Sequence, residues 1–269
     1  MNQQNDSHRA RKRFGQNFLH DQQVIQRIVS SLKAKPGDRV VEIGPGLGAL
    51  TQPLIDIVGK IDVVEIDRDL VARLQQHYSP EVMTIHSHDA LKFDFHTLVT
   101  AGEKLRIIGN LPYNISTPLL FHLMEQLDVV QDIHCMLQKE VVERMAAKPG
   151  DSAYGRLSIM LQYHCDVVKL FNVGPGAFHP APKVDSAVAR LTPHTTKPTH
   201  VNDEKIFSKV VNQAFSQRRK TLRNCLKTLL STEQIESCNI DPTARPETLS
   251  LSDFAKLSNI TVDSPDTSK

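Results

Sequence analysis

Residues 39–48 read RVVEIGPGLG, and they give the clearest indication of the fold. A short run rich in β-branched residues, typical of a buried strand, stops at the glycine-rich turn Gly44-Pro45-Gly46-Leu47-Gly48. A helical pattern follows over residues 49–57. Because open parallel sheets bind ligands at the carboxyl ends of their strands, we expect this turn to border a ligand site.

The alternation of strand and helix continues along the chain. Four more strands are predicted at residues 61–66, 82–86, 104–109 and 129–137, with helices between them, one of them N-capped by Ser116. Such alternation is typical of a parallel, doubly wound sheet, so the fold class is α/β. Two further strands, predicted at 164–173 and 183–192, are expected to form a hairpin that closes the sheet.

The composition changes after residue 192. A proline-containing linker leads into residues 205–230, which repeat apolar residues at helical spacing with no strand nearby. The sequence therefore predicts two domains: residues 1–195, which include a basic N-terminal arm at 1–20, and a small helical domain at 196–269.

The net charge of +2 hides two basic regions. Between residues 205 and 227 there are seven Lys or Arg and no Asp or Glu. A basic run is usually a solvated helix face, but this uncompensated excess favours contact with RNA phosphate. The candidate RNA-binding residues are Arg11, Lys12 and Arg13 in the arm and Arg218, Arg219, Lys220 and Arg223 in the helical domain.

Several classes of protein are excluded by composition. The four cysteines form no C-x-x-C pair, which indicates reduced thiols and a cytoplasmic protein. No apolar run approaches the roughly 18 residues that a membrane span needs. His86 and His88 lack a third ligand nearby, so no metal is expected.

Polar residues follow the predicted strands where a cofactor would bind. Gly44 opens the glycine-rich turn, Glu65 lies 21 residues further on, and Asp89 and Asn110 follow the next two strands. Glycine lets a backbone pass close to a ligand, and a carboxylate can accept both hydroxyls of a ribose. This pattern alone leaves three readings open: a nicotinamide cofactor, S-adenosylmethionine, or a purely structural turn.

Two acids favour S-adenosylmethionine. Glu42 lies inside the first strand, two residues before Gly44, where a carboxylate suits a cationic group better than a pyrophosphate. Asp89 can accept a hydrogen bond from an adenine amino group. A nicotinamide enzyme would also need a constellation for hydride transfer, and the sequence has none.

The segment Asn110-Leu111-Pro112-Tyr113 indicates the acceptor. In an exocyclic base amine the nitrogen lone pair is delocalised into the ring. An amide oxygen and a backbone carbonyl can accept the two amine hydrogens and turn that lone pair toward a methyl donor. Pro112 would stiffen the turn and Tyr113 would stack on the base. An ordinary strand-end turn is the alternative interpretation.

Four motifs together resemble one family. They are Phe14-Gly15-Gln16-Asn17-Phe18-Leu19, Glu42-Ile43-Gly44-Pro45-Gly46-Leu47-Gly48, Asn110-Leu111-Pro112-Tyr113-Asn114-Ile115-Ser116-Thr117 and Phe178-His179-Pro180-Ala181-Pro182-Lys183-Val184-Asp185-Ser186. The chain resembles the bacterial small-subunit (16S) rRNA adenine dimethyltransferases, from about residue 11 to about residue 257. The resemblance implies a Rossmann-like class I methyltransferase with a seven-stranded, mostly parallel sheet.

The resemblance also implies a reaction and a set of roles. The family dimethylates N6 of two adjacent adenines in the 3′-terminal hairpin of 16S rRNA, late in small-subunit assembly. Its S-adenosylmethionine contacts would fall here on Asn17, Leu19, Gly44, Glu65, Asp89 and Asn110. Tyr113 and Phe178 would sandwich the target adenine, so the expected catalytic set is Asn110, Leu111, Pro112, Tyr113 and Phe178. We expect a monomer.

Two alternative functions remain open. One is the related large-subunit rRNA adenine methyltransferase of the macrolide-resistance type, against which Phe14-Gly15-Gln16 and Leu111 argue. The other is a ribosome assembly factor that has lost catalysis. Such a factor should have other residues in place of Glu65, Asp89 or the motif that begins at Asn110, and the sequence retains all of them.

Overall fold

The computed structural model describes residues 16–217 and 219–262. The strands in these ranges are β1 (Phe18–Leu19), β2 (Arg39–Ile43), β3 (Ile61–Glu65), β4 (Met83–Ser87), β5 (Leu105–Asn110), β6 (Val130–Gln138), β7 (Cys165–Val173), β8 (Phe178–His179) and β9 (Ser186–Pro193). The helices are α1 (Gln22–Leu32), α2 (Thr51–Val58), α3 (Arg68–His77), α4 (Ser116–Met124), α5 (Lys139–Ala146), α6 (Arg156–His164), α7 (Glu204–Ala214), α8 (Leu222–Leu226), α9 (Thr232–Ser237) and α10 (Leu251–Val262).

Seven of these strands form one sheet in the order β4-β3-β2-β5-β6-β9-β7, and β1 pairs with β8 in a separate small sheet. β2 runs parallel to both β3 and β5, whereas β9 runs antiparallel to β6. The predicted fold class is confirmed. The strand order reverses beside β2, which places the glycine-rich turn at the topological switch point of the sheet.

The central strands are buried because helices cover the sheet. Every residue of β3 is buried, and so are the last four residues of β2. Such continuous burial explains the apolar runs that predict these strands. Asp21 is the N-cap of α1, and its carboxylate accepts hydrogen bonds from two backbone N–H groups of the first turn.

The start of α4 differs from the sequence prediction. Ser116 is not the N-cap; the N-cap is Ile115, which makes no side-chain cap. The Ser116 hydroxyl instead donates to the Tyr113 carbonyl over 3.0 Å. The serine therefore ties the helix back to the turn that carries the expected catalytic residues.

The chain divides into two compact units. The first comprises residues 1–142 and 168–192, and the second comprises residues 143–167 and 193–269. The last segment of the second unit begins at Pro193, and the predicted helical domain begins at residue 196. The second unit also includes residues 143–167, which the sequence analysis assigned to the first domain. Tyr163 of α6 packs against Phe207 of α7 within this unit, with their ring centroids 5.0 Å apart.

The cysteines are free thiols, and three of them, Cys135, Cys165 and Cys225, are buried. Burial raises the pKa of both Cys135 and Cys165 to about 12, so these two thiols stay protonated and unreactive. No helix in the described ranges is long and apolar enough to cross a membrane.

Candidate functional site

A cavity of about 230 Å³ opens at the carboxyl ends of the parallel strands in the first unit. The segments after β2, β3, β4 and β5 all contribute to its wall, together with the segment that precedes and begins β1. The lining residues are Gln16, Asn17, Phe18, Ile43, Gly44, Gly46, Val64, Glu65, Ile66, Leu70, His88, Asp89, Ala90, Leu91, Asn110, Leu111, Pro112, Tyr113, Asn114 and Ile115. The cavity therefore brings together eight of the ten residues that were expected to bind the cofactor or to catalyse the reaction.

The glycine-rich turn passes close to other parts of the cavity wall. Gly44 and Gly46 have φ angles of +66° and +59°, a conformation that favours glycine. A Cβ atom on Gly46 would lie 3.2 Å from the Phe18 ring. The conformation of the turn therefore favours glycine at these two positions, where the backbone is open to a ligand.

Glu65 ends β3 with its side chain buried at the cavity wall. One carboxylate oxygen accepts a hydrogen bond from the Asp67 backbone N–H over 2.9 Å. Burial is the largest influence on this carboxyl and raises its pKa, while backbone N–H groups of Asp67, Gly46 and Ile66 oppose the rise. These donors fix the carboxylate against the glycine-rich turn, where it can accept hydrogen bonds from the hydroxyl groups of a ligand.

Glu42 lies one strand away and is nearly fully buried. The Thr51 hydroxyl donates to its carboxylate over 2.6 Å. Burial, opposed by this hydrogen bond and reinforced by the charge of Glu65, raises the pKa of Glu42 to about 7. Glu42 also borders a smaller recess beside the main cavity, where its carboxylate can attract a cationic group of a ligand.

Asp89 follows β4 and lines the cavity beside His88. One of its carboxylate oxygens accepts a hydrogen bond from the Leu91 backbone N–H over 3.0 Å, which closes a tight local turn. A ring nitrogen of His88 lies 3.1 Å from the Asp89 carbonyl. The segment therefore holds a carboxylate at the cavity wall.

Asn110 ends β5, and its side-chain orientation is fixed. Its amide nitrogen donates to the Asn17 carbonyl over 2.9 Å. A carbonyl oxygen can only accept a hydrogen bond, so the atom facing Asn17 is the NH₂ group and the amide oxygen faces the other way. Asn110 therefore offers a preoriented acceptor, held by the segment that leads into β1.

The turn after Asn110 is held from several sides. Leu111 is buried, and its backbone N–H donates to the Met136 carbonyl over 3.1 Å. The Tyr113 hydroxyl lies 2.6 Å from the hydroxyl of Ser186. Pro112 and Tyr113 both line the cavity.

Two expected site residues do not line the main cavity. Leu19 and Phe178 face each other across the small β1–β8 sheet, and both are buried in the hydrophobic core. Leu19 borders the smaller recess together with Gly44 and Asn110. Phe178 lines neither cavity in the part of the chain that the structure describes.

The candidate RNA-binding residues are only partly described. Arg11, Lys12, Arg13 and Arg218 lie outside the described residues. Arg219, Lys220 and Arg223 are exposed in the second unit, at and just before α8. The Arg223 backbone N–H donates to the Pro242 carbonyl over 3.0 Å, so the start of this helix is anchored while its basic side chains remain exposed.

Two contacts of the site were not predicted from the sequence. The Gln16 side chain donates to Asp67 over 3.1 Å, and Ser186 reaches Tyr113 as described above. His86 pairs with Asp62 over 2.8 Å rather than with another histidine. Among residues 16–217 and 219–262 there is no group of three or more His, Cys, Asp or Glu that could hold a metal ion.

The chain matches a protein-family model over nearly its whole length. A family model described as "Ribosomal RNA adenine dimethylase" matches residues 7–263 of the chain. The match includes every segment that lines the cavity, so cavity and family describe the same part of the protein.

Curated relatives extend this similarity. The chain is 59% identical over 253 residues to a "Ribosomal RNA small subunit methyltransferase A" of Pseudomonas aeruginosa, with 94% of each chain covered. It is 56% identical over 260 residues to a protein of the same name from Acinetobacter baylyi, covering 96% of this chain and 95% of the relative.

Solved structures resemble the fold. A dimethyladenosine transferase from Plasmodium falciparum matches with a TM-score of 0.71 and 27% identity, covering 89% of this chain and 95% of that one. A 23S rRNA methyltransferase, ErmE, matches with a TM-score of 0.71 and 22% identity, covering 92% of this chain and 100% of that one. Because the second protein is only 22% identical, its match supports the fold and not the function.

Proposed function

Since the chain belongs to the ribosomal RNA adenine dimethylase family, we propose that it dimethylates N6 of two adjacent adenines in the 3′-terminal hairpin of 16S rRNA. Relatives 59% and 56% identical carry names that specify the small subunit, which supports this choice of substrate. We propose that the protein acts in the cytoplasm, as a monomer, on the assembling small subunit.

S-adenosylmethionine supplies the methyl group, as a sulfonium that an amine nitrogen can attack. The cavity fits this cofactor because a glycine-rich turn and buried carboxylates line it. In the proposed arrangement Glu65 accepts hydrogen bonds from the ribose hydroxyls, and Asp89 accepts a hydrogen bond from the adenine amino group. Gly44 admits the ligand close to the backbone, while Asn17 and Leu19 approach it from the β1 side.

The observation that carries the proposal is the orientation of Asn110. Its NH₂ group is bound to the Asn17 carbonyl, so its amide oxygen is available to a substrate amine. We propose that this oxygen and the Leu111 carbonyl accept the two amine hydrogens and aim the nitrogen lone pair at the methyl donor. The methylated nitrogen is acidic and releases its proton readily, so no strong base is required.

Stacking on the target adenine completes the proposed acceptor site. Pro112 stiffens the turn, and Tyr113 lies at the cavity wall with its hydroxyl already paired. Phe178 is proposed for the opposite face of the base. Because Phe178 is buried at 3% exposure, this role requires its side chain to leave the core when RNA binds.

One experiment tests the substrate and the activity together. Purified protein is incubated with labelled S-adenosylmethionine and small or large ribosomal subunits from cells that lack the modification. Nucleosides are then analysed by mass spectrometry, and we expect N6,N6-dimethyladenosine at two adjacent positions of small-subunit rRNA only. Methylation of the large subunit would favour the macrolide-resistance type, and binding without methylation would favour a silent assembly factor.

The charge state of Glu42 leads to a prediction about pH. Its pKa of about 7 means that the free enzyme holds this carboxyl largely protonated at pH 6 and ionised at pH 8. A bound cation favours the ionised form, so S-adenosylmethionine affinity should rise with pH, by up to about tenfold per unit below 7, and level off above it. Calorimetry between pH 5.5 and 8.5 measures this rise.

The matched variant is Glu42→Gln, which keeps the shape of the side chain but cannot ionise. Its affinity should be lower at pH 8 and should lack the rise with pH that the ionisation of Glu42 causes. Any titration of the cofactor's own amino group occurs in both proteins and cancels in the comparison. Equal pH dependence in both proteins would show that Glu42 does not sense the cofactor charge.

Arg219, Lys220 and Arg223 are proposed to bind RNA phosphates, together with Arg218, Arg11, Lys12 and Arg13. Each phosphate contact releases condensed counterions, so the logarithm of the affinity falls linearly with the logarithm of the salt concentration. Changing the first three to alanine should reduce that slope by roughly 2–3, at about 0.7–0.9 per lost contact. Binding to small subunits is measured over a salt series.

The control replaces three exposed lysines of the first unit, Lys35, Lys60 and Lys104, and so removes the same net charge. If the slope falls equally in both variants, only the overall charge matters. Cofactor affinity should be unchanged in either variant, because none of these six residues lines the cavity.

A further inference from the structure

Ser186 contacts the site from a different part of the sheet. It begins β9, where its Cα pairs with Gln138 of the neighbouring strand β6. The preceding residue, Asp185, accepts a hydrogen bond from the Lys139 backbone N–H over 2.9 Å. Ser186 itself is fully buried. Its hydroxyl therefore has a position set by the sheet, not by a mobile loop.

This hydroxyl lies 2.6 Å from the hydroxyl of Tyr113. The backbone of Tyr113 is held as well, because its carbonyl accepts a hydrogen bond from Ser116 over 3.0 Å. Partial burial raises the pKa of Tyr113, so the phenol stays protonated at physiological pH and can keep a neutral hydrogen bond. The ring between these two anchors borders the cavity.

We propose that Ser186 is a positioning residue for methyl transfer: its hydroxyl anchors the Tyr113 hydroxyl and so fixes the ring against which the target base stacks. This inference rests on the proposed function. A fixed ring sets the height and tilt of the base relative to the Asn110 amide oxygen, and small errors in such geometry slow a reaction strongly. Ser186 contributes through Tyr113 and not by touching the base.

The two successive methyl transfers should depend on this anchor to different degrees. Unmethylated adenine offers two amine hydrogens, which Asn110 and the Leu111 carbonyl can both accept. After the first transfer only one hydrogen remains, so one of these contacts is lost and stacking carries more of the orientation. Loss of the anchor should therefore slow the second transfer more than the first, and monomethylated adenine should accumulate.

The test uses single-turnover methylation of undermethylated small subunits at saturating S-adenosylmethionine, with separate quantification of mono- and dimethylated product. Ser186→Ala and Tyr113→Phe each remove the contact between the two hydroxyl groups and retain an aromatic ring at position 113. We expect each to slow the second transfer about fivefold to tenfold, the effect of one neutral hydrogen bond. The double variant should be no slower than either single variant, because both remove the same contact.

Two controls separate positioning from structural support. Ser186→Thr keeps a hydroxyl and should restore most of the rate and the normal product ratio. Ser258→Ala removes another buried serine hydroxyl, in the second unit, and should leave rate and ratio unchanged. Cofactor affinity, measured by calorimetry, should stay unchanged in the Ser186 and Tyr113 variants.

The inference is overturned if Ser186→Ala dimethylates at the normal rate and ratio, or if the single effects multiply in the double variant. It is also overturned if cofactor affinity falls in step with the rate, since that indicates general damage to the site. Should Ser186→Ala fail to fold, Tyr113→Phe alone still decides by its product ratio. The wild-type protein is the check on the proposed function: if it does not methylate small subunits, the function fails independently of Ser186.

Discussion

Replacing Asn110 with alanine should reduce methyl transfer on the order of a hundredfold or more, at saturating S-adenosylmethionine. In the proposed mechanism the amide oxygen of Asn110 contacts the amine most strongly when the nitrogen becomes pyramidal, so this contact would belong mainly to the transition state. A loss of this size is typical of one preorganised electrostatic contact. Single-turnover rates on undermethylated small subunits measure it, while RNA binding should barely change.

Saturating cofactor is essential in this measurement, because Asn110 also lines the cavity proposed for the cofactor and its loss can lower the affinity. Gln52→Ala is a matched control, since Gln52 carries an exposed carboxamide on α2 that pairs only locally, with Asp56 over 2.8 Å. Its rate should be normal. A near-normal rate for Asn110→Ala would mean that the Leu111 carbonyl alone orients the lone pair.

The aspartate variant separates the two hydrogen-bonding roles of Asn110. Asn110→Asp retains an acceptor oxygen but can no longer donate to the Asn17 carbonyl, which lies 2.9 Å from the amide nitrogen. An ionised carboxylate beside that carbonyl is repelled, so the side chain should leave its preoriented position. We expect a rate well below that of the wild type, which would show that an acceptor oxygen alone is insufficient.

The parallel part of the sheet could be predicted from sequence because its signals are local. β2 matches its predicted bounds, and β5 is shifted by a single residue at each end. Each of these strands is an apolar run ended by a glycine or polar residue, which the chain itself displays. The grouping of Glu65, Asp89 and Asn110 followed from the rule that parallel strands end at the same edge of a sheet.

Contacts between distant segments could not be predicted in this way. Tyr113 and Ser186 are 73 residues apart, and Gln16 and Asp67 are 51 residues apart. Serine and glutamine have no preference that marks them as site residues, so only the folded chain brings these pairs together. The sequence analysis also predicted no helix at α6, for a different reason. This helix is buried along most of its length and therefore carries no amphipathic pattern.

Glu65→Ala should weaken S-adenosylmethionine binding by about ten- to a hundredfold, because a hydrogen bond to a charged acceptor contributes roughly 1.5–3 kcal/mol. The Glu65 carboxylate is buried and fixed by backbone N–H groups, so its loss leaves those donors unpaired as well as the ribose hydroxyls. Calorimetry with S-adenosylmethionine measures the change at pH 8, where Glu42 is ionised. Glu81→Ala removes an exposed carboxylate away from the cavity and should bind normally. If Glu65→Ala binds the cofactor as tightly as Glu81→Ala does, Glu65 does not hold the ribose, and the cofactor must be gripped chiefly by the glycine-rich turn and Asp89.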